Sequence, residues 1–238
     1  MKKSLFQIVL ILFSAFIMLS CSTDSTNDVD EDSNSQYHTY LALGDSYTIG
    51  EGVDRSQRWP EQLVKKLEES GLDFNDPKII AKTGWTTKNL LSAMNVELTT
   101  NQYDLVSISI GVNNQYQRRS INEYEEDLKV IFSKAINRSV NGKEGVFVLS
   151  IPDYGATPFG ASNSENIGKD IARFNSVLKR VSEDFDVPFY NITPISKEAR
   201  DDLSLVANDG LHPSGKMYRL WVDYFFNEIY NTLMKSAE

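Results

Sequence analysis

The sequence predicts a doubly wound α/β/α sandwich, in which two helical layers enclose a five-stranded parallel sheet. Three observations carry this prediction. Short apolar runs alternate with longer amphipathic segments, in the order β-α-β-α-β-α-β-α-β-α. Strands that are apolar on both faces are typical of parallel sheets covered by helices, and right-handed crossovers place those helices on both sides. The length of 238 residues fits one such domain better than two.

The five predicted strands are short apolar runs separated by helical or turn-forming segments. They span residues 40–43, 78–81, 105–110, 145–151 and 187–192. Gly44 follows the first run and Pro152 follows the fourth, and both residue types interrupt regular structure. Runs as short as these fit buried strands.

The five predicted helices carry apolar residues at helical spacing. They span residues 59–69, 86–94, 121–141, 167–185 and 213–234. Gly71 is a stop signal after the first helix, and the pair Asn141-Gly142 ends the third. Pro213 suits the first turn of the last helix, because its missing N–H would have no partner there.

The first twenty residues have the features of a bacterial export signal. Lys2 and Lys3 form a short positive region, residues 5–19 are almost wholly apolar, and Ser20-Cys21 follows. The apolar run is too short for a comfortable transmembrane span. Its end resembles the lipobox of bacterial lipoproteins, so we predict a lipoprotein signal peptide over residues 1–20 and lipidation of Cys21. The protein would then be exported and lipid-anchored to a membrane of the cell envelope, periplasmic or at the cell surface. The alternative is an ordinary signal peptide with an incidental cysteine.

Residues 21–38 are predicted to be a flexible acidic tether ahead of a folded domain at 39–238. The stretch 22–36 has one apolar residue, Val29, and no aromatic residue. Such a stretch cannot bury enough apolar surface to offset the entropy lost on ordering. Acidic tethers after a lipidated cysteine resemble the surface-export signals of some lipoproteins, but a solvated spacer explains the composition equally well.

Charge and cysteine count exclude several kinds of partner and linkage. With 24 Lys and Arg against 33 Asp and Glu, the formal net charge is −9, which opposes binding to nucleic acid phosphates. Cys21 is the only cysteine, so no intrachain disulfide can form. No spacing of histidine, cysteine and carboxylate residues suggests a metal site. A monomer is the default expectation.

Five residues suited to catalysis follow predicted strands or precede the last helix. Ser46 comes after the first strand, Gly84 after the second and Asn113 after the third. Asp209 and His212 lie just before the last helix. In doubly wound sheets, ligands bind outside the carboxyl ends of the strands. We therefore expect these five residues to meet at one edge of the sheet.

The chemistry of these residues is that of serine hydrolysis. A serine hydroxyl needs a base, and histidine is the side chain that titrates near neutral pH. His38 lies at the edge of the polar tether, which leaves His212 as the base. Asp209, three residues upstream, can orient its imidazole. Three N–H donors could then stabilise the oxyanion: the amides of Ser46 and Gly84 and the side chain of Asn113.

The same residues lie in four motifs that resemble the blocks of the SGNH (GDSL) hydrolase superfamily. In chain order these motifs are Gly44-Asp45-Ser46-Tyr47-Thr48, Thr83-Gly84-Trp85, Gly111-Val112-Asn113-Asn114 and Asp209-Gly210-Leu211-His212-Pro213. The resemblance covers nearly the whole folded part and implies the flavodoxin-like fold of that superfamily. It also implies ester hydrolysis through an acyl-enzyme on Ser46, with Asp209 and His212 as acid and base and with no metal or organic cofactor.

The resemblance leaves the substrate open among small-molecule, lipid and glycan esters. Both a lipase-like or lysophospholipase-like activity and a carbohydrate acetylesterase-like activity occur in the superfamily, and some members are thioesterases. The third motif often ends in Asp where this chain has Asn114, and this departure concerns the substrate side. Trp85, Tyr116, Tyr154 and Phe159 lie in predicted edge loops, where aromatic rings could line a pocket, although such rings more often pack under their own loops. Trp85 and Tyr154, together with Asn114, are our candidates for substrate binding.

Each motif also has a purely structural explanation. Gly-Asp-Ser is an ordinary turn tripeptide, Asp209 could cap a turn, and Asn113 could cap the segment after it. The alternative function is therefore a non-catalytic surface lipoprotein that binds glycans or lipids on the same fold. A binding protein has no need of both an acid and a base, which favours the enzyme.

Overall fold

A computed structural model describes residues 37–98 and 101–236 of the chain. The predicted signal peptide, Cys21 and the tether up to residue 36 lie outside the described residues, so those assignments stay predictions. Within the part of the chain that is described, no helix is long and apolar enough to cross a membrane.

The strands form one sheet in which every neighbouring pair runs parallel. They are β1 (Tyr40–Gly44), β2 (Lys78–Ala81), β3 (Leu105–Ser109), β4 (Val146–Leu149) and β5 (Phe189–Tyr190). Their order across the sheet is β2-β1-β3-β4-β5. This is the flavodoxin-like order, and it confirms the predicted fold.

Helices cover the sheet on both faces. They are α1 (Ser46–Ile49), α2 (Trp59–Glu69), α3 (Thr87–Glu97), α4 (Val112–Tyr116), α5 (Ile121–Ile136), α6 (Ser164–Asp184), α7 (Thr193–Lys197) and α8 (Gly215–Ser236). Helix α2 packs on α8, whereas α3 and α6 both pack on α5. These two groups are the helical layers of the sandwich, and the single-turn helices α1 and α4 follow directly on strands.

Aromatic side chains fill much of the core. Trp59 of α2 lies 6.3 Å from Phe147 of β4 and 6.2 Å from Phe225 of α8, measured between ring centroids. In the other helical layer, Tyr124 of α5 and Phe174 of α6 are 5.0 Å apart. All five residues of β1 are buried, as its apolar sequence predicts for a central strand.

The third long helix is shorter than its sequence pattern predicts, ending at Ile136 rather than at residue 141. The segment beyond it pairs with Tyr103 instead: the Tyr103 amide donates to the Arg138 carbonyl at 2.8 Å, and the Val140 amide donates to the Tyr103 carbonyl at 2.9 Å. This long-range pairing uses backbone groups that a longer helix would need.

The predicted start of the last helix at residue 213 is also wrong, because α8 begins at Gly215. Pro213 forms an antiparallel bridge with Val206, and the Ser214 amide donates to the Leu205 carbonyl at 2.8 Å. The chain thus closes a loop over residues 206–213 before it enters the helix.

The fold leaves a natural site between two central strands. Strand β1 neighbours β2 on one side and β3 on the other, so the chain reverses its direction of winding between β1 and β3. Ligands bind at such a switch point in open α/β sheets. Ser46 follows β1 there and Asn113 follows β3, whereas His38 precedes β1 and lies at the opposite end of that strand.

Candidate active site

Ser46 is the first residue of α1, and one residue, Asp45, separates it from the end of β1. The tight turn between them requires glycine at position 44, since a Cβ there would come within 2.1 Å of Thr48 Oγ1 and 2.5 Å of the Ser109 carbonyl oxygen. Asp45 caps the helix by accepting the Tyr47 amide at 3.1 Å. The motif that carries Ser46 therefore has a structural reason for the two residues before the serine.

The Asp45 carboxyl is itself buried, only 1% exposed, directly beside Ser46. Burial raises the pKa of Asp45 to about 7, although hydrogen bonds from the amides of Tyr47 and Gly111 oppose the rise. Asp45 therefore titrates near neutral pH, unlike a solvated aspartate.

Asp209 and His212 are joined as the sequence predicts. Asp209 Oδ2 lies 2.6 Å from His212 Nδ1, and Asp209 Oδ1 accepts the amides of Leu211 and His212, both at 2.9 Å. Desolvation raises the pKa of Asp209, but the His212 ring and the two amides outweigh it and hold that pKa below its ordinary value. The ionised carboxylate can only accept, so His212 Nδ1 is the donor to it, and in the neutral imidazole Nε2 is then the acceptor.

The loop that carries this pair is closed at its base. The Ala207 amide donates to the His212 carbonyl at 2.7 Å, and Gly210 adopts a φ of +74° at the tip. The ring of Tyr47 lies edge-on to the imidazole at 5.4 Å between centroids. His212 is 8% exposed, so its ring is held between the loop and the α1 turn.

Gly84 and Asn113 flank Ser46 in the sheet order, because they follow β2 and β3, the two neighbours of β1. Gly84 is in a turn after β2 and has a φ of +81°. Asn113 lies in α4, and its side-chain Nδ2 donates to the Trp85 carbonyl at 3.0 Å. One N–H of the Asn113 amide is thereby used, and the other remains available to a ligand.

These elements surround a half-open cleft with about 550 Å³ of empty space. Eleven described residues line it: Ser46, Tyr47, Thr83, Gly84, Val112, Asn113, Tyr116, Tyr154, Phe159, Leu211 and His212. Among these lining residues, His212 is the sole ionisable group apart from tyrosine. The rings of Tyr116, Tyr154 and Phe159 form one wall, with centroids 6.2–6.3 Å apart.

The cleft contains four of the five residues predicted for catalysis, and Asp209 reaches it through His212. Of the predicted substrate-binding residues, only Tyr154 lines the cleft, and its hydroxyl donates to Gln115 Oε1 at 2.9 Å. The prediction that Asn114 binds substrate is wrong, because Asn114 is only 3% exposed and its side chain pairs with the amide and the hydroxyl of Thr87. It anchors the start of α3 instead of facing a ligand in the cleft.

The prediction that Trp85 lines the substrate pocket is also wrong. The Trp85 ring packs partly buried against the core and its carbonyl is the group that meets Asn113, so the indole does not line the cleft. Conversely, sequence reasoning missed Tyr47, which follows the serine, and did not select Tyr116 and Phe159. Their aromatic character in edge loops was the available signal, and only tertiary packing distinguishes such rings from Trp85.

The site at the carboxyl edge of this sheet contains a serine, an Asp–His pair and an asparagine. These are the residue types of a hydrolytic site. The model of the GDSL-like Lipase/Acylhydrolase family matches residues 42–220, so the chain belongs to this family. It is a hydrolase that acts on ester bonds. No curated protein matches the chain.

Solved structures share its fold at low sequence identity. A crystal structure of TesA is 20% identical with a TM-score of 0.66, over 82% of this chain and 99% of that one. The psychrotrophic esterase EstA from Pseudoalteromonas sp. is 20% identical with a TM-score of 0.60, over 84% and 98%. Axe2, an acetylxylan esterase from Geobacillus stearothermophilus, is 18% identical with a TM-score of 0.62, over 81% and 94%.

Proposed function

We propose that this chain hydrolyses carboxylic esters through an acyl-enzyme on Ser46, with His212 as general base and acid and Asp209 as the residue that orients it. One observation carries the proposal: the 2.6 Å contact between Asp209 Oδ2 and His212 Nδ1, on a histidine that lines the same cleft as Ser46. That contact leaves Nε2 free to accept the serine proton.

The reaction has two halves. Ser46 Oγ attacks the ester carbonyl carbon while His212 Nε2 takes the hydroxyl proton, and the tetrahedral intermediate collapses when His212 gives that proton to the leaving alcohol. Water then attacks the acyl-enzyme, with its proton taken by His212, and the acid leaves as Ser46 regains its hydroxyl proton. Asp209 stays ionised throughout and stabilises the imidazolium in both halves.

Negative charge develops on the carbonyl oxygen in each half. The amides of Ser46 and Gly84 and the free N–H of the Asn113 side chain are the proposed donors to it. Each such donor is typically worth about 10²–10³ in kcat. The support for this assignment is that all three residues line the cleft and that the Asn113 amide is held in place by the Trp85 carbonyl.

The lining of the cleft bears on the substrate. Since it contains no lysine, arginine, aspartate or glutamate among the described residues, we propose esters that are uncharged near the scissile bond. A lipase-like or lysophospholipase-like activity and a carbohydrate acetylesterase-like activity both remain compatible with an aromatic wall. Rates on p-nitrophenyl esters of rising chain length separate the two: a preference for acetyl favours deacetylation of carbohydrates, and a preference for long chains favours lipids.

The proposal is tested by replacing Ser46 with alanine. We expect Ser46→Ala to lose hydrolysis of p-nitrophenyl acetate while its circular dichroism and melting temperature stay close to those of the wild type. Undiminished turnover by a folded Ser46→Ala protein would contradict the assignment of the nucleophile.

A surface protein that binds glycans or lipids without turnover is the second candidate, and one observation favours it: Tyr116 and Phe159 are more than half exposed at the cleft, as in a binding platform. A fluorophosphonate probe decides between the two. Covalent labelling of the folded protein supports the enzyme, whereas binding of a glycan or lipid without any labelling supports the binding protein.

We also propose that the mature protein is exported and anchored in a membrane through lipid on Cys21. The signal-like composition of residues 1–20 supports this proposal. Metabolic labelling with a clickable fatty acid should mark the wild type but not Cys21→Ala, and equal labelling of both would overturn it.

A further inference from the structure

The backbone around Gly84 forms a specific type of turn. The Trp85 amide donates to the Lys82 carbonyl at 3.2 Å, which closes a β-turn with Gly84 in its third position. A φ of +81° in that position is the mark of a type II turn. A Cβ added to Gly84 would have no neighbour within 4 Å, so glycine is needed here for its backbone conformation and not for space.

The type of turn decides which way the Gly84 amide points. Between types I and II, ψ of the second residue changes by about 150° and φ of the third by about 170°, so the peptide between them turns over. In this chain that peptide joins Thr83 to Gly84 and carries the Gly84 N–H. Within the described residues this N–H has no acceptor. A change of turn type would move it from one side of the turn to the other.

Side chains from outside hold each of the last three residues of the turn. The contacts are Thr83 Oγ1 to Glu51 Oε2, Gln117 Nε2 to the Gly84 carbonyl (3.1 Å) and Asn113 Nδ2 to the Trp85 carbonyl (3.0 Å). Glu51 follows the helix that begins with Ser46, and Gln117 ends the helix that contains Asn113. The turn is therefore tied to the two segments that carry the nucleophile and the third oxyanion donor.

Gln117 and Asn113 both donate to carbonyls of the turn, but of the two only Asn113 lines the cleft. The orientation of Gln117 is fixed from the far end: Arg119 Nη2 donates to Gln117 Oε1 at 3.2 Å, which leaves the Gln117 NH₂ group directed at the Gly84 carbonyl. The side chain is exposed and contacts none of the residues proposed to transfer protons. Its identifiable role is therefore toward the turn.

We propose that Gln117 is a positioning residue for ester hydrolysis. By holding the Gly84 carbonyl, together with the contacts from Glu51 and Asn113, it keeps the turn in the conformation that offers the Gly84 amide to the oxyanion. This inference rests on the proposed function, in which that amide is a donor. Because Gln117 acts through Gly84, its effect falls on the transition state and leaves ground-state binding of the ester unchanged.

The test compares Gln117→Ala and Gln117→Glu with the wild-type protein. Glutamate keeps the size of the side chain but places an acceptor against the Gly84 carbonyl. We expect kcat for p-nitrophenyl acetate to fall about tenfold in both variants at unchanged KM, less than the 10²–10³ for loss of a whole donor. The Ki of a boronic acid, which forms a tetrahedral anionic adduct with serine, should rise by the same factor.

Gln62→Glu is the matched control. Gln62 Nε2 also donates to a glycine carbonyl, that of Gly215 at 3.0 Å, but it lies outside the cleft. This variant should keep wild-type kcat and boronic acid affinity even if its melting temperature falls.

Wild-type kcat and Ki in folded Gln117 variants would overturn the inference and leave the proposed function standing. So would a fall in kcat without the matching change in Ki, because that pattern indicates a general structural effect. Absence of turnover and of fluorophosphonate labelling in the wild-type protein would overturn the proposed function and this inference together.

Discussion

Two loops that contribute residues to the cleft of Ser46 are stabilised in different ways. The pairing of Asp209 with His212 is fixed by contacts within four residues, since the Asp209 carboxylate accepts both the imidazole and two amides of the same loop. From outside the loop, the Phe159 amide donates to the Gly210 carbonyl at 3.0 Å and the Tyr47 ring packs against the imidazole. The turn of Gly84 is held by side chains 33, 32 and 28 positions away along the chain. The arrangement of Asp209 and His212 is thus fixed by hydrogen bonds within their own loop. The orientation of the Gly84 amide, the candidate oxyanion donor, depends on side chains from distant parts of the sequence.

This difference teaches where mutations at a distance should act. We expect substitutions outside the Asp209–His212 loop to have little influence on the hydrogen bonds between those two side chains. By contrast, residues that never contact the ester can affect the direction of the Gly84 amide. Substitutions in each of the two loops test that contrast.

The largest effect is expected inside the self-contained loop. Asp209→Asn keeps an oxygen for the two amides but replaces the acceptor of the His212 Nδ1–H, so the imidazole adopts the wrong tautomer. We expect kcat to fall by about 10³–10⁴ with little change in melting temperature. Steady-state kinetics on p-nitrophenyl acetate measure it, and a loss below about tenfold would show that Asp209 does not orient the base.

A smaller loss is expected from Gly84→Ala. Alanine has room at this position but disfavours a φ of +81°, which costs about 1–2 kcal/mol, so the turn tends to change type and withdraw the amide. We expect about a 10–100-fold loss in kcat, at or below the 10²–10³ that is typical for complete loss of one oxyanion donor.

Gly71→Ala is the control for that experiment, because Gly71 also has a positive φ, +91°, and open space around its Cα, but lies after α2. It should lose similar stability and no activity. Equal kcat values for the two variants would contradict the role given to Gly84.

The contact between Thr83 and Glu51 should matter least for catalysis. Thr83→Val removes the hydroxyl and keeps the shape, so one of the three contacts on the turn is lost while Gln117 and Asn113 still hold it. We expect kcat to fall by a factor of about 2–5, as for a single exposed hydrogen bond. If Thr83 and Gln117 both fix the same turn, the double variant Thr83→Val, Gln117→Ala should lose more kcat than the product of the two single losses. A loss equal to that product would show that the two residues act independently.

A further prediction concerns how Asp45, the residue before Ser46, contributes to the stability of the fold at different pH values. Because burial raises the pKa of Asp45 to about 7, the folded state binds its proton more tightly than the unfolded chain does. The contribution of Asp45 is therefore most favourable below its unfolded pKa and is lost as the pH rises through about 7.

Asp45→Asn should remove that dependence. The stability of the variant relative to the wild type should rise between pH 4 and pH 7, by at most about 4 kcal/mol. Urea unfolding at a series of pH values measures the difference. A difference that is constant across this range would show that Asp45 is ionised in the folded state throughout.

Much of the site could be predicted from sequence because its signals are local. The order of apolar runs gave the sheet, and Asp209 lies so near His212 that their pairing follows from spacing. The wrong predictions depend on distant contacts. Asn114 is adjacent to Asn113 but pairs with Thr87, and the segment after Ile136 leaves its helix to pair with Tyr103. Gln117 has no motif at all, and only the folded chain brings it to Gly84.

Mapping a covalent adduct tests directly whether Ser46 is a nucleophile that His212 activates. Wild-type protein is treated with a fluorophosphonate, digested and analysed by mass spectrometry, and His212→Gln is treated in parallel. We expect one adduct, on the peptide that contains Ser46, formed at least about a thousandfold more slowly in His212→Gln. An adduct on another serine, or an equal labelling rate in both proteins, would contradict these roles of Ser46 and His212.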